Sequence, residues 1–285
     1  GRKIVDDKNS GEINISPTLS PNGKYIAFLS EKDLFTTDLY LADANSGKIL
    51  RKLYSATKEG HIDQLNSIES AGSWSPDSKE IAFSAFKGGH SVLLIKKAEN
   101  GKTSKEISIA KLPFFAHPAW SPDGKSIILS GMVNGQTDLF QYIFKTKELH
   151  RLTDDPYSEI QADWSKDGSK IVFATDELSM NDAKLGNQWL HNIAIMDMKT
   201  SSKRLVQIFR ESNNLNPQFI NDNDLVFLSD NDGYRNMYRY NMETEKVDKL
   251  TQVATGITNI TPYGPAISIS SNRDKIIYSY YSDNS

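Results

Sequence analysis

His117-Pro118-Ala119-Trp120-Ser121-Pro122-Asp123-Gly124-Lys125 is followed by Ser126-Ile127-Ile128-Leu129-Ser130, a polar loop from Gly131 to Thr137, Asp138-Leu139-Phe140-Gln141-Tyr142-Ile143, a turn at Lys145 to Lys147, and Glu148 to Leu152. Each apolar run is short, rich in β-branched or aromatic residues, and bounded by Pro, Gly, Asp, Asn or Lys. That is the pattern of antiparallel strands joined by tight turns. The stretch predicts a four-stranded meander.

The anchor of this unit recurs at Pro17 to Lys24, Gly72 to Lys79 and Ala162 to Ser169, in worn form at Pro217 to Asp224, and again at Pro265 to Asn272. With Leu19, Trp74, Trp120, Trp164, Phe219 and Ile269 as equivalent points, successive anchors lie 44 to 55 residues apart. A four-stranded unit at that period predicts an all-β fold, a six-bladed β-propeller of four-stranded antiparallel blades. Within the anchor, Pro presets φ, Asp or Asn bonds its own backbone and Gly takes a positive φ, so the motif makes a turn whether or not anything binds there. Trp74, Trp120 and Trp164, at the same place in successive sheets, read as packing between blades rather than as a ligand platform.

Trp-Ser-Pro-Asp-Gly-Lys, then Ile-Ala-Phe-x-Ser, then a Gly-containing loop and Asp-Leu-Tyr, resembles the TolB-like propeller repeat. Similar repeats occur in the propeller domains of prolyl oligopeptidase, dipeptidyl peptidase relatives and tricorn-like proteases. The resemblance covers nearly the whole chain and is strongest in the first four copies. In the fifth it is carried by Phe227-Leu228-Ser229-Asp230 and Met237-Tyr238-Arg239-Tyr240. It implies the fold; function must be argued from a site, because propellers host unrelated activities.

A length of 285 residues suggests two domains at average size, but the repeat gives one, 1–285. A net charge of −3 carries no basic excess, so nucleic acid is not an expected partner. No run is long and apolar enough to cross a bilayer, and Gly1 to Asp7 lacks the apolar core of a signal peptide. The absence of cysteine excludes disulfides, thiolate metal sites and a Cys nucleophile, and fits a bacterial periplasm or cell surface.

Gly1 to Asp7 resembles Lys147 to Asp155, the stretch before the fourth anchor, and so reads as an outermost strand without its own blade. The sixth copy supplies a first strand, Pro265 to Ser270, and a second, Lys275 to Tyr281. The expectation is a last blade that is incomplete and closed by the N-terminal strand, with Arg2 to Val5 pairing beside Pro265 to Tyr281. The native chain is expected to continue beyond Ser285, since open strand edges are a liability.

Turns on the anchor face are tight, whereas the opposite face carries Ser55 to Ala71, Thr175 to Asn192 and Thr251 to Gly264. Long loops on a rigid scaffold are where binding resides. Protein or peptide contact is therefore expected at His61, Gln64, Phe114, Phe115, His117, Trp189, His191, Tyr234, Arg235 and Tyr263, with aromatic and Arg side chains as anchors.

Catalytic motifs are absent: no Gly-x-Ser-x-Gly elbow, no His-Glu-x-x-His and no phosphate loop. No catalytic residue, cofactor or metal is assigned. His61, His117 and His191 map to one face and could hold a divalent metal with Asp63 or Gln64, as in propeller lyases acting on uronic acids, whose repeats look similar; surface-loop histidines are the simpler reading. Asp222-Asn223-Asp224 and Asp230-Asn231-Asp232-Gly233 lack the full calcium-loop pattern and read as Asx turns. The leading expectation is a non-catalytic protein- or peptide-binding propeller of a bacterial periplasmic or cell-surface protein. The alternatives are a substrate-gating propeller of a larger peptidase or hydrolase whose catalytic domain lies elsewhere, and a metal-dependent uronate lyase.

Overall fold

The computed structural model describes residues 2–5, 10–11, 13–32, 37–55, 64–65, 70–185, 188–259, 261, 263–270 and 274–281, with 64–65 described by their main chain. The first sheet is β1 (Asn14–Leu19), β2 (Tyr25–Ser30), β3 (Asp38–Asp43) and β4 (Ile49–Tyr54), hydrogen-bonded in that order. In the second, two short pieces, β5 (Gln64–Leu65) and β6 (Ser73–Trp74), both pair with β7 (Glu80–Lys87), which is followed by β8 (His90–Lys97) and β9 (Thr103–Ser108). The third is β10 (Phe114–Trp120), β11 (Ser126–Val133), β12 (Gln136–Ile143) and β13 (Leu149–Arg151). The fourth is β14 (Glu159–Trp164), β15 (Lys170–Thr175), β16 (Asn192–Asp197) and β17 (Lys203–Val206). The fifth is β18 (Asn214–Phe219), β19 (Asp224–Ser229), β20 (Asn236–Asn241) and β21 (Val247–Lys249). A two-stranded sheet of β22 (Ile267–Ile269) and β23 (Ile276–Tyr278) follows. The described residues thus form five complete blades and one hairpin where six blades were expected.

The contacts gather into two compact units, Gly1–Pro118 with Asn259–Ser279, and Ala119–Thr258 with Tyr280–Ser285. Within each, the core lies between neighbouring sheets. Side chains alternate along a strand, so a central strand feeds two clusters at once. In β2, Ala27 and Leu29 face a cluster with Trp74, Ile81 and Phe83, while Ile26 and Phe28 face another with Leu19, Tyr40 and Ala42. In the second unit, Ile171 and Phe173 of β15 join Ile128, Leu139 and Trp164, while Val172 joins Phe219, Leu225, Phe227 and Tyr238. Burial on both faces is why these strands read as unbroken apolar runs.

The anchor turn has one hydrogen-bond design. Ser75, Ser121 and Ser165 each donate Oγ–H to Asp77, Asp123 and Asp167 at 2.7 Å, and each Oγ accepts the main-chain N–H five residues on. Ser20 and Asn22 repeat the bond at 2.8 Å. Gly23, Gly124 and Gly168 take positive φ, and Ser78 takes φ 62° in their stead while its hydroxyl accepts the N–H of Asn22. The Ser165 hydroxyl, ahead of the Ser169 groups, holds the Asp167 carboxyl down at about 2. The motif is therefore occupied with its own turn.

A second regularity is absent from the sequence reading. Ser16, His117, Gln161 and Asn216, each three residues before an anchor, have φ between 47° and 58° (50°, 47°, 58° and 52°). The first, third and fourth of these mark register breaks, between Ile15 and Thr18, Ile160 and Asp163, and Leu215 and Gln218. Pro17, Pro118 and Pro217 come next in the chain at Ser16, His117 and Asn216. A bulge leaves a residue unpaired, so a proline without an N–H is tolerated there.

The N-terminal expectation needs correction. Residues 2–5 form no strand. Ile4 and Val5 pack with Ile49 and Ile277 against the Leu19, Ile26, Phe28 and Tyr40 cluster, and the Arg2 guanidinium donates to Asn45 O at 2.5 Å. Gly47, at φ 71°, lets the main chain of Ile4 approach where any Cβ would collide. Two half-buried apolar side chains reach a core in this way. The N-terminus and the last hairpin share a cluster in the first unit, not a sheet. Beside them, Leu19 N–H donates to Ser268 Oγ at 3.0 Å.

Candidate functional site

In the unit Ala119–Thr258, antiparallel alternation sends the connections after β15, β17, β19 and β21 out of the same strand ends. The first, within the long loop expected from Thr175 to Asn192, holds α1 (Glu177–Asn181) and a 3-10 turn, Ala183–Leu185. Five residues are too few for a self-sustaining helix. Tertiary contacts hold it: Leu178 is buried, Ser179 Oγ donates to Leu190 O at 2.8 Å, and Asn181 bonds Tyr157.

Each connection is tied to the next. Arg210 pairs with Asp182 at 2.8 Å, His191 N–H donates to Asn213 Oδ1 at 3.1 Å, and Asn214 N–H donates to His191 O at 2.7 Å. Asn213 N–H then donates to Asp230 Oδ1 at 2.9 Å. Arg235 Nε donates to Ile257 O at 2.7 Å, and Ile257 N–H returns the bond to Arg235 O at 2.6 Å. The strap can lie this close because Gly256, at φ 74°, has no Cβ to meet Arg235 N. Four connections are thereby fixed before anything binds, which lowers the ordering cost of association. Trp189 (64% exposed), Tyr234 (58%) and Met180 (47%) stand out from them.

The expected contact residues separate by burial. Trp189 and Tyr234 are exposed in this unit; in the other unit Phe114 is 44% exposed, stacked on Phe86 at 6.3 Å, and Tyr263 is exposed. Phe115 follows Phe114 on β10 and so points to the other side, buried, with its N–H on Ser91 Oγ. His117 and His191 are buried too, and burial pulls both imidazoles down to about 4, so both are neutral. Those three side chains belong to the interior rather than to a contact surface. Arg235 is half-buried and engaged with Ile257; burial lowers its pKa. Gln64 lies in β5 opposite Phe86 of β7, and His61 falls outside the described residues. Met180 and the Arg210–Asp182 and Asn213 ties escaped the sequence reading, although Ser212-Asn213-Asn214 is a visible turn signal.

Among the described residues no group of three His, Cys, Asp or Glu is placed to hold a metal ion. Asp224, in one acidic run, is engaged by Arg239 at 3.0 and 2.9 Å and by Asn221 and Asn241; the Arg239 bond is the main cause that holds its carboxyl at about 2. Asn221 Oδ1 accepts the N–H groups of Asn223 and Asp224, an Asx turn. No helix among the described residues is long and apolar enough to cross a membrane.

The family model for the TolB beta propeller domain matches residues 58–181. The Tol-Pal system protein TolB of Ruthia magnifica subsp. Calyptogena magnifica is 31% identical over 142 residues, 46% of this chain and 32% of that protein. A TolB homolog of Chlorobium chlorochromatii is 28% identical over 159 residues, 54% of this chain and 35% of that protein. The chain spans about a third of the length of the curated relatives it matches. Among solved structures, a candidate TolB from Agrobacterium tumefaciens aligns with TM-score 0.71 and 20% identity over 96% of this chain and 92% of its own. TolB from Acinetobacter baumannii aligns with TM-score 0.68 and 20% identity, over 84% and 54%. An acylaminoacyl peptidase aligns with TM-score 0.55 and 16% identity, over 94% and 41%. The chain is an all-β propeller of four-stranded antiparallel blades, and its residues 58–181 are similar to the TolB beta propeller domain.

Proposed function

We propose that this chain is a non-catalytic, protein- or peptide-binding propeller of a bacterial cell-envelope protein. The observation that carries the reading is the set of four mutually bonded connections that present Trp189 and Tyr234. Large aromatics on a preorganised surface supply contact area at low entropic cost, the usual basis of interface anchors. The envelope assignment is supported by the relatives' name, Tol-Pal system protein TolB, and by the cysteine-free sequence.

The count of six blades and the single domain 1–285 form part of this proposal. In support, the hairpin β22–β23 keeps the anchor's latch, with Ser270 Oγ donating to Asp274 at 2.8 Å. Phe114 and Tyr263, exposed aromatics of the first unit, are proposed as contact residues of that unit by itself. The reading as the gating propeller of a larger hydrolase ranks second, because the peptidase likeness is weaker and concerns fold alone.

Photo-crosslinking tests the main reading in cells. A crosslinking amino acid at Trp189 or Tyr234 should yield protein adducts, whereas one at Pro122 or Lys125, on the anchor turn, should not. Adducts from the anchor turn alone would reject the surface. Peptide hydrolysis by this chain that is lost with one substitution in it would reject the non-catalytic reading.

A further inference from the structure

Behind the loop surface, within the unit Ala119–Thr258, one ammonium faces three carboxylates. Lys203 Nζ, at the start of β17, lies 2.5 Å from Glu177 Oε2, 2.6 Å from Asp155 Oδ2 and 3.8 Å from Glu159 Oε1. The three acids come from three places in the chain: the first residue of α1, the connection before β14, and the first residue of β14. Lys203 therefore fastens the connection that leads to Trp189 onto its own blade.

Glu159 is the innermost of the three and is 0% exposed. Thr175 of β15 donates its hydroxyl to Oε1 at 3.3 Å, while Oε2 is buried with no hydrogen-bond partner. The other charges around it are already engaged. On β12, Asp138 is bonded by Arg151 of β13 at 2.7 Å, and Arg151 also holds Asp154 at 2.6 Å. Asp176, before α1, accepts the N–H of Ser158 at 2.8 Å. Gln136 donates to the main-chain oxygens of Asp155 and Tyr157, and the Tyr157 ring lies 5.3 Å from Lys203 Nζ.

Two carboxylates at hydrogen-bond distance already neutralise more than the one ammonium present, so a third, fully buried carboxylate is disfavoured as an anion. Burial first, and the neighbouring charge of Asp155 second, push the Glu159 carboxyl up to about 8. Burial opposes the charge on Lys203, but its bonds to Asp155 and Glu177 outweigh it and raise that pKa. At neutral pH the cluster is thus one proton richer than its composition suggests.

We propose that this cluster is a proton-operated latch on α1: while Glu159 is neutral, Lys203 holds Glu177, and when Glu159 ionises it draws the ammonium inward and Glu177 lets go. The proton leaves to solvent, and the charge of the Asp155, Glu159, Glu177 and Lys203 group falls from −1 to −2. The ammonium then closes on Glu159 Oε1, from which it now lies 3.8 Å, whereas Glu177, part-exposed, can turn to water. The latch acts on the proposed contact surface but does not depend on that surface binding anything. The sign follows from the raised carboxyl: its contribution to stability is present below the ordinary carboxylate range and is lost as pH rises towards about 8.

Hydrogen exchange on the whole chain tests it, with rates corrected for the intrinsic effect of pH. Between about pH 6 and about pH 9, protection of the amides in 177–185 should fall roughly tenfold in the wild type and by less than about twofold in Glu159→Gln. Glu177→Gln should lose that protection at both pH values, while the amides of β11 and β12 stay unchanged. Equal pH dependence in wild type and Glu159→Gln, or a uniform loss across the unit, would overturn the proposal. Should Glu159→Gln not fold, a carboxyl carbon NMR titration of the wild type decides: a Glu159 midpoint near 8 supports the latch, and one near the ordinary carboxylate value, about 4.3, rejects it.

Discussion

The indole N–H of Trp164 donates to the main-chain oxygen of Ala119 at 3.1 Å, across the gap between two neighbouring sheets of one unit. Trp74 does the same to Thr18 O at 3.2 Å in the other unit. Trp120 does not: half-buried, it donates to Gly124 O in its own turn and packs on Phe144.

The three anchor tryptophans should therefore differ on replacement. Trp164→Phe leaves a buried carbonyl without its donor and should cost about 1–3 kcal/mol, and Trp74→Phe a similar amount. Trp120→Phe, whose acceptor sits in an exposed turn, should cost less than about 1 kcal/mol. Urea denaturation of the three variants checks the order; equal losses would refute it.

In Ser165→Ala the anchor turn loses the hydroxyl that both donates to Asp167 and accepts the N–H of Lys170. The expected loss is about 1 kcal/mol. A sharper readout is Asp167 itself, whose carboxyl is held at about 2 chiefly by that hydroxyl. An NMR titration of the variant should find it moved back towards the ordinary range, and an unmoved midpoint would show that the Ser169 groups suffice.

Acidification should destabilise the chain through His117 and His191. Both are neutral when folded, with pKa values pulled down to about 4 by burial. In the unfolded chain an imidazole takes its proton near pH 6.5. Their contribution is thus fully present above that value and is lost as pH falls through about 4. Glu159 acts with the opposite sign, its contribution being lost from the ordinary carboxylate value up to about 8, so the melting temperature should peak near the pH at which the histidine loss begins, about 6.5. His191→Asn should flatten the acid limb only; an unchanged acid limb in that variant would exclude His191 as its source.

At Asn216 the positive φ, 52°, makes a comparison of two small-volume changes informative. Asn216→Val should cost about 1–3 kcal/mol because a β-branched residue resists that backbone region. Asn216→Gly should cost far less, since glycine accepts the conformation and the main-chain N–H still reaches Gln161 Oε1, now at 2.7 Å. If both variants melt alike, strain at the bulge is not what the side chain has to satisfy.

The meander, the anchor turns and the packing role of Trp74 and Trp164 were legible because each rests on local chemistry: short apolar runs, a Ser-Pro-Asp-Gly turn, an aromatic at fixed register. The bulges were not, although Ser16-Pro17, His117-Pro118 and Asn216-Pro217 carry a trace of them, because φ depends on how a strand meets its neighbour. Loop length and residue type pointed to Trp189 and Tyr234 in one unit and Phe114 and Tyr263 in the other, and all four are exposed. Phe115, His117 and His191 were misjudged, since a loop-proximal position says nothing about which side of the strand faces the interior. The Lys203 cluster was invisible for a similar reason: Asp155, Glu159, Glu177 and Lys203 meet only after β14, β15 and β17 are paired or packed.

The bonds that Trp74 and Trp164 make to their neighbours end on peptide oxygens, Thr18 O and Ala119 O. Every amino acid carries such an oxygen, so a sheet bearing this tryptophan makes no demand on the identity of the residue opposite. Two sheets can then diverge independently, and a copied sheet can be seated beside an old one without a matching change in it. Swapping the segment 162–206 for 72–108 in a recombinant chimera would be a replacement of parts built to a common fitting, and side-chain volume between the sheets, rather than polar pairing, would set how well it is tolerated.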